Sequence, residues 1–291
     1  MITNNLGLPQ PFVDACMRDY QYKEKQYSVT SLLKGSCQVM LERRHQKEIQ
    51  SDVADNIFLL FGSAVHSILE NAKESDNQLK ENKIITDLED GYKMSGIFDL
   101  YDDETKTVTD YKTGSVWKVK FNEWEDYRKQ LLMYSWQLRQ IGFDCRYGEI
   151  VLIMKDHSKT EAKRDSQYPQ LPVHVEKFEF SEKDFEEIER YIYSRFELIK
   201  TCETLKDDEL PTCTKEERWA KDDKWAVMKK GVKRAVRVLD SEKEAQDYIT
   251  MKELDNKHYI EFREGEDTKC LNYCSVCQFC KYYQDRYVNN E

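Results

Sequence analysis

The chain has no low-complexity tract, no internal repeat and no apolar run near the roughly 18 residues that span a bilayer. Its first twenty residues, MITNNLGLPQPFVDACMRDY, lack a basic stretch followed by an apolar core. No signal peptide is therefore expected, and the expected location is cytoplasmic, with no membrane partner. An excess of basic charge is also missing. Lys and Arg number 45 against 55 Asp and Glu, a net charge of −10. That does not favour a protein that simply coats nucleic acid, although it leaves room for an enzyme with a local basic groove. Nine cysteines, an odd number without an export signal, argue against a disulfide framework and for ligation of a metal or cluster. No helicase motif is present.

What is there is a globular composition, with 34% charged residues among 291. This length can bury one sizeable core with an appended subdomain. Residues 28–48 read as a helical segment started by Ser28 or Thr30. Residues 51–73 read as the clearest helix, capped by Ser51 or Asp52, with a broad apolar face from Ile57 to Leu69. A short strand is expected at 83–87, then a hairpin of strands 94–101 and 106–113. A helix over 123–141 is stopped by Gly142. Strands at 147–155 and 172–180 follow, then a charged helix over 181–205. This order predicts an α/β layer with a mixed central sheet. After a linker at 206–215 come a basic hairpin at 221–238 turning at Lys230–Gly231, a helix at 242–254 and a cysteine-rich tail at 270–283.

The hairpin carries the chemistry. Alternation puts Asp110 and Lys112 on one face of their strand. A turn near 104 sets Asp99 opposite residues 109–110. Two carboxylates and an amine then meet, a grouping that can hold a divalent metal and activate a water for phosphodiester hydrolysis. Alone it is equally compatible with a solvated surface hairpin. The preceding helix carries Gly62, His66 and Glu70 at successive i,i+4 positions, and the following helix carries Gln130 and Tyr134. Each of these pairs alone reads more readily as core histidine or helix surface.

Taken in order, G-x-x-x-H-x-x-x-E (62–70), G-x-x-D (96–99), D-Y-K-T-G (110–114) and Q-x-x-x-Y (130–134) resemble the PD-(D/E)xK nuclease superfamily, in its RecB-like exonuclease branch. Segments such as SVTSLL, RRHQKEI, FGSAVHSILE and CTKEERWAKDDKWAVMKKG are similar to phage and prophage members. The resemblance covers about residues 27–283. It implies a restriction-endonuclease-like core at 27–205, after an N-terminal extension at 1–26, and a cysteine-ligated region at 206–291 packed on that core. It also implies a metal-dependent deoxyribonuclease. Asp99, Asp110, His66 and the Tyr111 carbonyl would bind Mg²⁺ or Mn²⁺. Lys112, held protonated by the two acids, would position the water and stabilise the growing charge. Glu70, Gln130 and Tyr134 would support the site. A phage role implies recombination or end processing in a bacterial host cell, beside a single-strand annealing protein or helicase.

Cys270, Cys274, Cys277 and Cys280 lie within eleven residues. Four thiolates suit zinc or a [4Fe–4S] cluster. CRISPR-associated and AddB-type relatives hold such a cluster with one distant cysteine and three near the C-terminus. By that resemblance the expected ligands are Cys213, Cys270, Cys274 and Cys280, with Cys37 and Cys277 in reserve; Cys16, Cys145 and Cys202 are expected to be ordinary thiols. DNA is expected along Lys229, Lys230, Lys233, Arg234 and Arg237, with Trp219 or Trp225 stacking on a base. Arg43, Arg44, Lys118 and Lys120 are further DNA contacts to consider. The competing readings are a non-catalytic nucleic-acid-binding module with a structural metal, and a structure-specific or RNA-directed nuclease.

Overall fold

Period-two alternation sets the centre of the sheet: in Tyr147–Met154, Gly148, Ile150, Leu152 and Met154 point inward. The computed structural model describes residues 2–17, 21–73 and 75–289. The chain divides into two units, Met1–Leu205 and Lys206–Glu291.

In the first unit, Ile2–Thr3 (β1) precedes the helix Gln10–Cys16 (α1). Gln26–Ser28 (β2) leads into Val29–Leu32 (α2), whose first turn is capped by Ser28 accepting from the Ser31 N–H. The segment expected as one helix over 28–48 is two, because the chain breaks at Lys34–Gly35 before Ser36–Arg44 (α3). Ser51–Asp52 (β3) pairs in parallel with β1. Asp52 then caps a 3₁₀ turn, Val53–Asn56, that feeds Ile57–Glu70 (α4).

By length and composition alone, Val53–Glu70 reaches a mean hydropathy of 1.2 over 18 residues, the one such stretch among the described residues. Its apolar face is not a core face, since no α4 residue is fully buried and Phe58, Phe61 and Ile68 are exposed.

Gln78–Asp87 (β4) pairs antiparallel with Lys93–Asp102 (β5) along its whole length, so the strand expected at 83–87 starts five residues earlier. The other edge of β5 is shared. β2 takes its first three residues, in parallel. Thr107–Gly114 (β6) takes only its last three, through Leu100↔Thr109, Tyr101↔Val108 and Asp102↔Thr107. Beyond Leu100 the hairpin strands part, and β6 continues in parallel with Tyr147–Met154 (β7). The crossover consists of Val116–Phe121 (α5) and Glu125–Gln140 (α6). After Lys159–Arg164 (α7), Val173–Glu179 (β8) closes the sheet antiparallel to β7. Glu182–Thr204 (α8) starts from a Ser181 capping box.

The core lies under α6. Nine consecutive residues, Gln130–Leu138, are buried, because this helix is covered on one side by the sheet and on the other by α8 and α2. Arg43 and Arg44, considered as DNA contacts, have internal work. Arg43 donates to the Gln26 and Lys23 carbonyls and lies over the Tyr27 ring; Arg44 donates to the Cys202 and Leu205 carbonyls.

The second unit begins with Lys215–Arg218 (α9). Lys224–Lys229 (β9) and Arg237–Leu239 (β10) form the basic hairpin, with Gly231 at φ +81 in its turn. Glu242–Met251 (α10) follows, and His258–Arg263 (β11) adds a third antiparallel strand that the sequence reading lacks. Thr268–Asn272 (α11) and Lys281–Tyr283 (α12) carry the cysteine tail.

Candidate active site

The parting of β5 and β6 builds the site. Where the ladder stops, the Asp99 carboxylate replaces the missing strand partner. Its Oδ2 accepts the Tyr111 N–H at 2.5 Å. Its Oδ1 lies 3.2 Å from His66 Nδ1. Gly62 puts α4 against this side of β6, since a Cβ there would meet Thr113 Oγ1 at 3.4 Å. The His66 ring meets the Tyr111 ring edge-on. Tyr111 and Thr113 therefore face α4, whereas Asp110 and Lys112 face α6.

On that second face Asp110 is almost wholly buried and its Oδ2 closes an ion pair with the Lys112 ammonium. Oδ2 is nevertheless aligned for no hydrogen bond among the described residues. Gln130 Nε2 reaches Asp110 Oδ1 at a long 3.5 Å and donates to Tyr134 Oη at 3.0 Å. Gly96 admits α6 this closely. A Cβ at Gly96 would stand 2.2 Å from Gln137 Oε1 and 3.0 Å from the Tyr134 ring.

The electrostatics follow from this crowding. Burial pushes the Asp110 carboxyl above the usual carboxylate range, against the pull of Lys112 and with the Asp99 charge adding to the rise. Burial opposes the Lys112 ammonium, but Asp110 and Asp99 outweigh it and hold the lysine above its ordinary value. The hydrogen bond to Asp99 raises His66, against burial.

Of the residues expected at the site, the structure brings together His66, Asp99, Asp110, Tyr111, Lys112, Gln130 and Tyr134. Glu70 is different: it sits exposed at the end of α4. A second carboxylate beside the histidine, after Asp99, belongs to Glu81, which the sequence reading missed. Glu81 Oε1 is 3.7 Å from His66 Nδ1. One ligand atom each from His66, Glu81 and Asp99 lies within 4.8 Å of the others. Lys80 pairs with Leu100 and Asn82 with Phe98, so Glu81 stands opposite Asp99, outside the paired register, with a left-handed φ of +48. Burial, the Asp99 charge and nearby Glu70 push its carboxyl up, against His66. A carboxylate and imidazole set of this kind suits Mg²⁺ or Mn²⁺.

In the second unit, Arg218 explains how Cys213 reaches the tail. It donates to the Cys213 carbonyl and, at 3.0 Å, to Asp267 Oδ1. Asp267 is buried and also accepts from Tyr282 and Tyr287. Cys270, three residues on, is pushed up to about 12 by burial, by Asp267 and by the neighbouring Cys274, Cys213 and Cys280. Cys274 is pushed up to about 11, chiefly by burial, with Cys277, Cys213 and Cys280 adding. Cys37 lies buried in α3 of the first unit, as do Cys16, Cys145 and Cys202 elsewhere in that unit. Lys229, Lys230, Lys233, Arg234 and Arg237 are all exposed on the β9–β10 hairpin. Trp219 packs on Tyr273 and Trp225 on Phe262.

A split sheet with two acids and a lysine at its fork defines a nuclease class. The chain belongs to the PD-(D/E)XK nuclease superfamily, whose family model matches residues 77–282. Its mixed sheet flanked by helices is the restriction-endonuclease-like fold of that superfamily. No curated protein matches. Solved structures with a similar chain include a phage-related exonuclease from Haemophilus somnus 129PT, 11% identical, with 60% of this chain and 81% of that one covered at a TM-score of 0.30. An alkaline exonuclease from Laribacter hongkongensis is 11% identical, with 66% and 93% covered at 0.39. A protein designated SSO0001 is 16% identical, with 64% and 84% covered at 0.46.

Proposed function

We propose that this chain is a Mg²⁺- or Mn²⁺-dependent DNA exonuclease of the RecB-like type, acting in phage or prophage recombination or end processing. The observation that carries the reading is the fork between β5 and β6. It turns Asp99 onto the Tyr111 N–H and leaves the buried Asp110–Lys112 pair beside it. His66, Glu81, Asp99 and Asp110, with the Tyr111 carbonyl, would hold the ion. When bound, that ion would polarise the phosphodiester and acidify a water molecule. Asp99 orients His66 and thereby the nitrogen offered for ligation. Lys112, kept charged by Asp110, stabilises negative charge developing on the phosphate. Gln130 and Tyr134 keep Asp110 oriented from below. A non-catalytic module is less well supported, because burying a carboxylate and a lysine together is costly unless the pair has a task.

Cys213, Cys270, Cys274 and Cys280 are the ligands we assign to a structural [4Fe–4S] cluster, with zinc as the alternative occupant. The all-sulfur donor set and the mutual influence of these four thiols support the assignment. Anaerobic purification with metal analysis tests it: iron, sulfide and visible absorbance are expected, and a colourless protein with stoichiometric zinc would overturn the cluster.

Degradation of linear and closed circular duplexes with Mg²⁺ tests the exonuclease reading. Linear DNA is expected to shorten from its ends while circles survive. Nicking or linearising of circles at the same rate would replace it with an endonuclease.

A further inference from the structure

The helix that follows the site strand directly, α5, presents two large aromatics to solvent. Trp117 and Phe121 are 53% and 63% exposed. They are i and i+4 on one face and stack on each other, with ring centroids 5.6 Å apart and planes 19° apart. The pair is held firmly in place. Ser115 Oγ and the Val116 N–H both donate to Asp156, just beyond the end of β7, at 2.5 and 2.8 Å.

Cations surround this pair and lead back to the site. The Lys120 ammonium lies 5.3 Å from the Trp117 ring centroid. Lys118 lies 4.3 Å from the centroid of Tyr127, and Lys112 lies 5.4 Å from the same ring. Tyr127 thus joins the lysine of the site to the lysine beside the stacked pair. Among the described residues Lys118 pairs with no carboxylate, and Lys120 has only Asp165 at 3.6 Å.

Flat rings open to solvent, with ammonium groups beside them, match an unpaired nucleotide strand. Bases stack on the rings and phosphates lie on the cations. A folded protein partner or a second copy of this acidic chain offers no comparable match to both. We propose that Trp117 and Phe121 are a stacking platform for the unpaired bases of a single-stranded DNA end, whose phosphates pass Lys120 and Lys118 toward Lys112. The proposal rests on the nuclease reading of Asp99, Asp110 and Lys112.

Anisotropy of labelled oligo(dT), measured in EDTA so that nothing is cleaved, tests the platform apart from the chemistry. The variant is Trp117→Ala with Phe121→Ala. Both side chains are exposed, so its melting should match wild type. Its affinity for oligo(dT) should fall roughly 10-fold or more. Its affinity for an abasic oligonucleotide of equal length should not change. Trp117→Phe, which keeps a ring, should stay close to wild type. Unchanged oligo(dT) binding, or an equal loss for the abasic strand, would overturn the platform. So would a variant that alters only the oligomeric state. With Mg²⁺ added, wild type should degrade a linear duplex from its ends. Failure there would sink the nuclease reading while the EDTA binding result still judges the platform.

Discussion

Replacing Lys112 by methionine removes the ammonium and keeps most of the aliphatic stem. Asp110 is then a carboxylate whose side chain is 3% exposed, with no cation beside it. Breaking one side of a buried pair in this way costs about 3–5 kcal/mol while the remaining charge persists. The carboxyl has an escape, because its pKa already lies above the usual range through burial. Taking up a proton removes the charge. A carboxyl whose folded pKa exceeds its unfolded one binds protons on folding, so stability rises as pH falls through the folded value. The deficit of the variant should therefore be largest near pH 8 and shrink toward pH 5, by at most about 1.4 kcal/mol per pH unit. Urea melts of both proteins in EDTA across that range measure it. Cleavage should fall about 10²–10³-fold, the typical loss of one charge-stabilising donor. A deficit below about 0.5 kcal/mol at every pH, of the size usual for surface substitutions, would refute the buried pair. Full-rate cleavage would refute its role.

Gly96→Ala should force Gln137 off the Met94 carbonyl and Thr86, each now 3.1 Å away. Overpacking of about 1–3 kcal/mol plus about 1–3 kcal/mol for an unsatisfied carbonyl should appear as a lowered urea midpoint; an unshifted midpoint would show that α6 has room to yield. Glu81→Gln should weaken Mn²⁺ binding about 10-fold by calorimetry, and unchanged affinity would exclude Glu81 as a ligand. Metal binding should release a proton from His66, whose pKa is raised by Asp99. Affinity should then climb as pH rises through that value and level off above it, and calorimetry in buffers of different ionisation enthalpy counts the proton.

Much of this was readable from sequence because it depended on local periodicity. Alternation along 107–114 put Asp110 and Lys112 on one face, and the i,i+4 spacing of Gln130 and Tyr134 survived folding intact. Glu81 was not readable. It takes a left-handed φ where β4 loses its pairing with β5, a conformation no strand pattern predicts, in a segment too charged to look like a strand. Glu70 was preferred instead because helical spacing alone aligned it with His66. The apolar stripe of α4 misled in another way. Hydrophobicity marked a face, but periodicity carries no record of whether another element covers it. The link from Cys213 to the tail runs through the Arg218–Asp267 pair, 49 residues apart in sequence and invisible to any local pattern.

The central claim is that Asp99 and Asp110 act together on a phosphodiester through a divalent ion. Its most direct measurement is release of label from end-labelled linear DNA as Mg²⁺ is titrated, with wild type, Asp99→Asn and Asp110→Asn at equal folded concentration. Wild type should release label only with Mg²⁺, and both variants should fall to background at every concentration. Release by either variant at the wild-type rate, or by wild type in EDTA, would contradict the account.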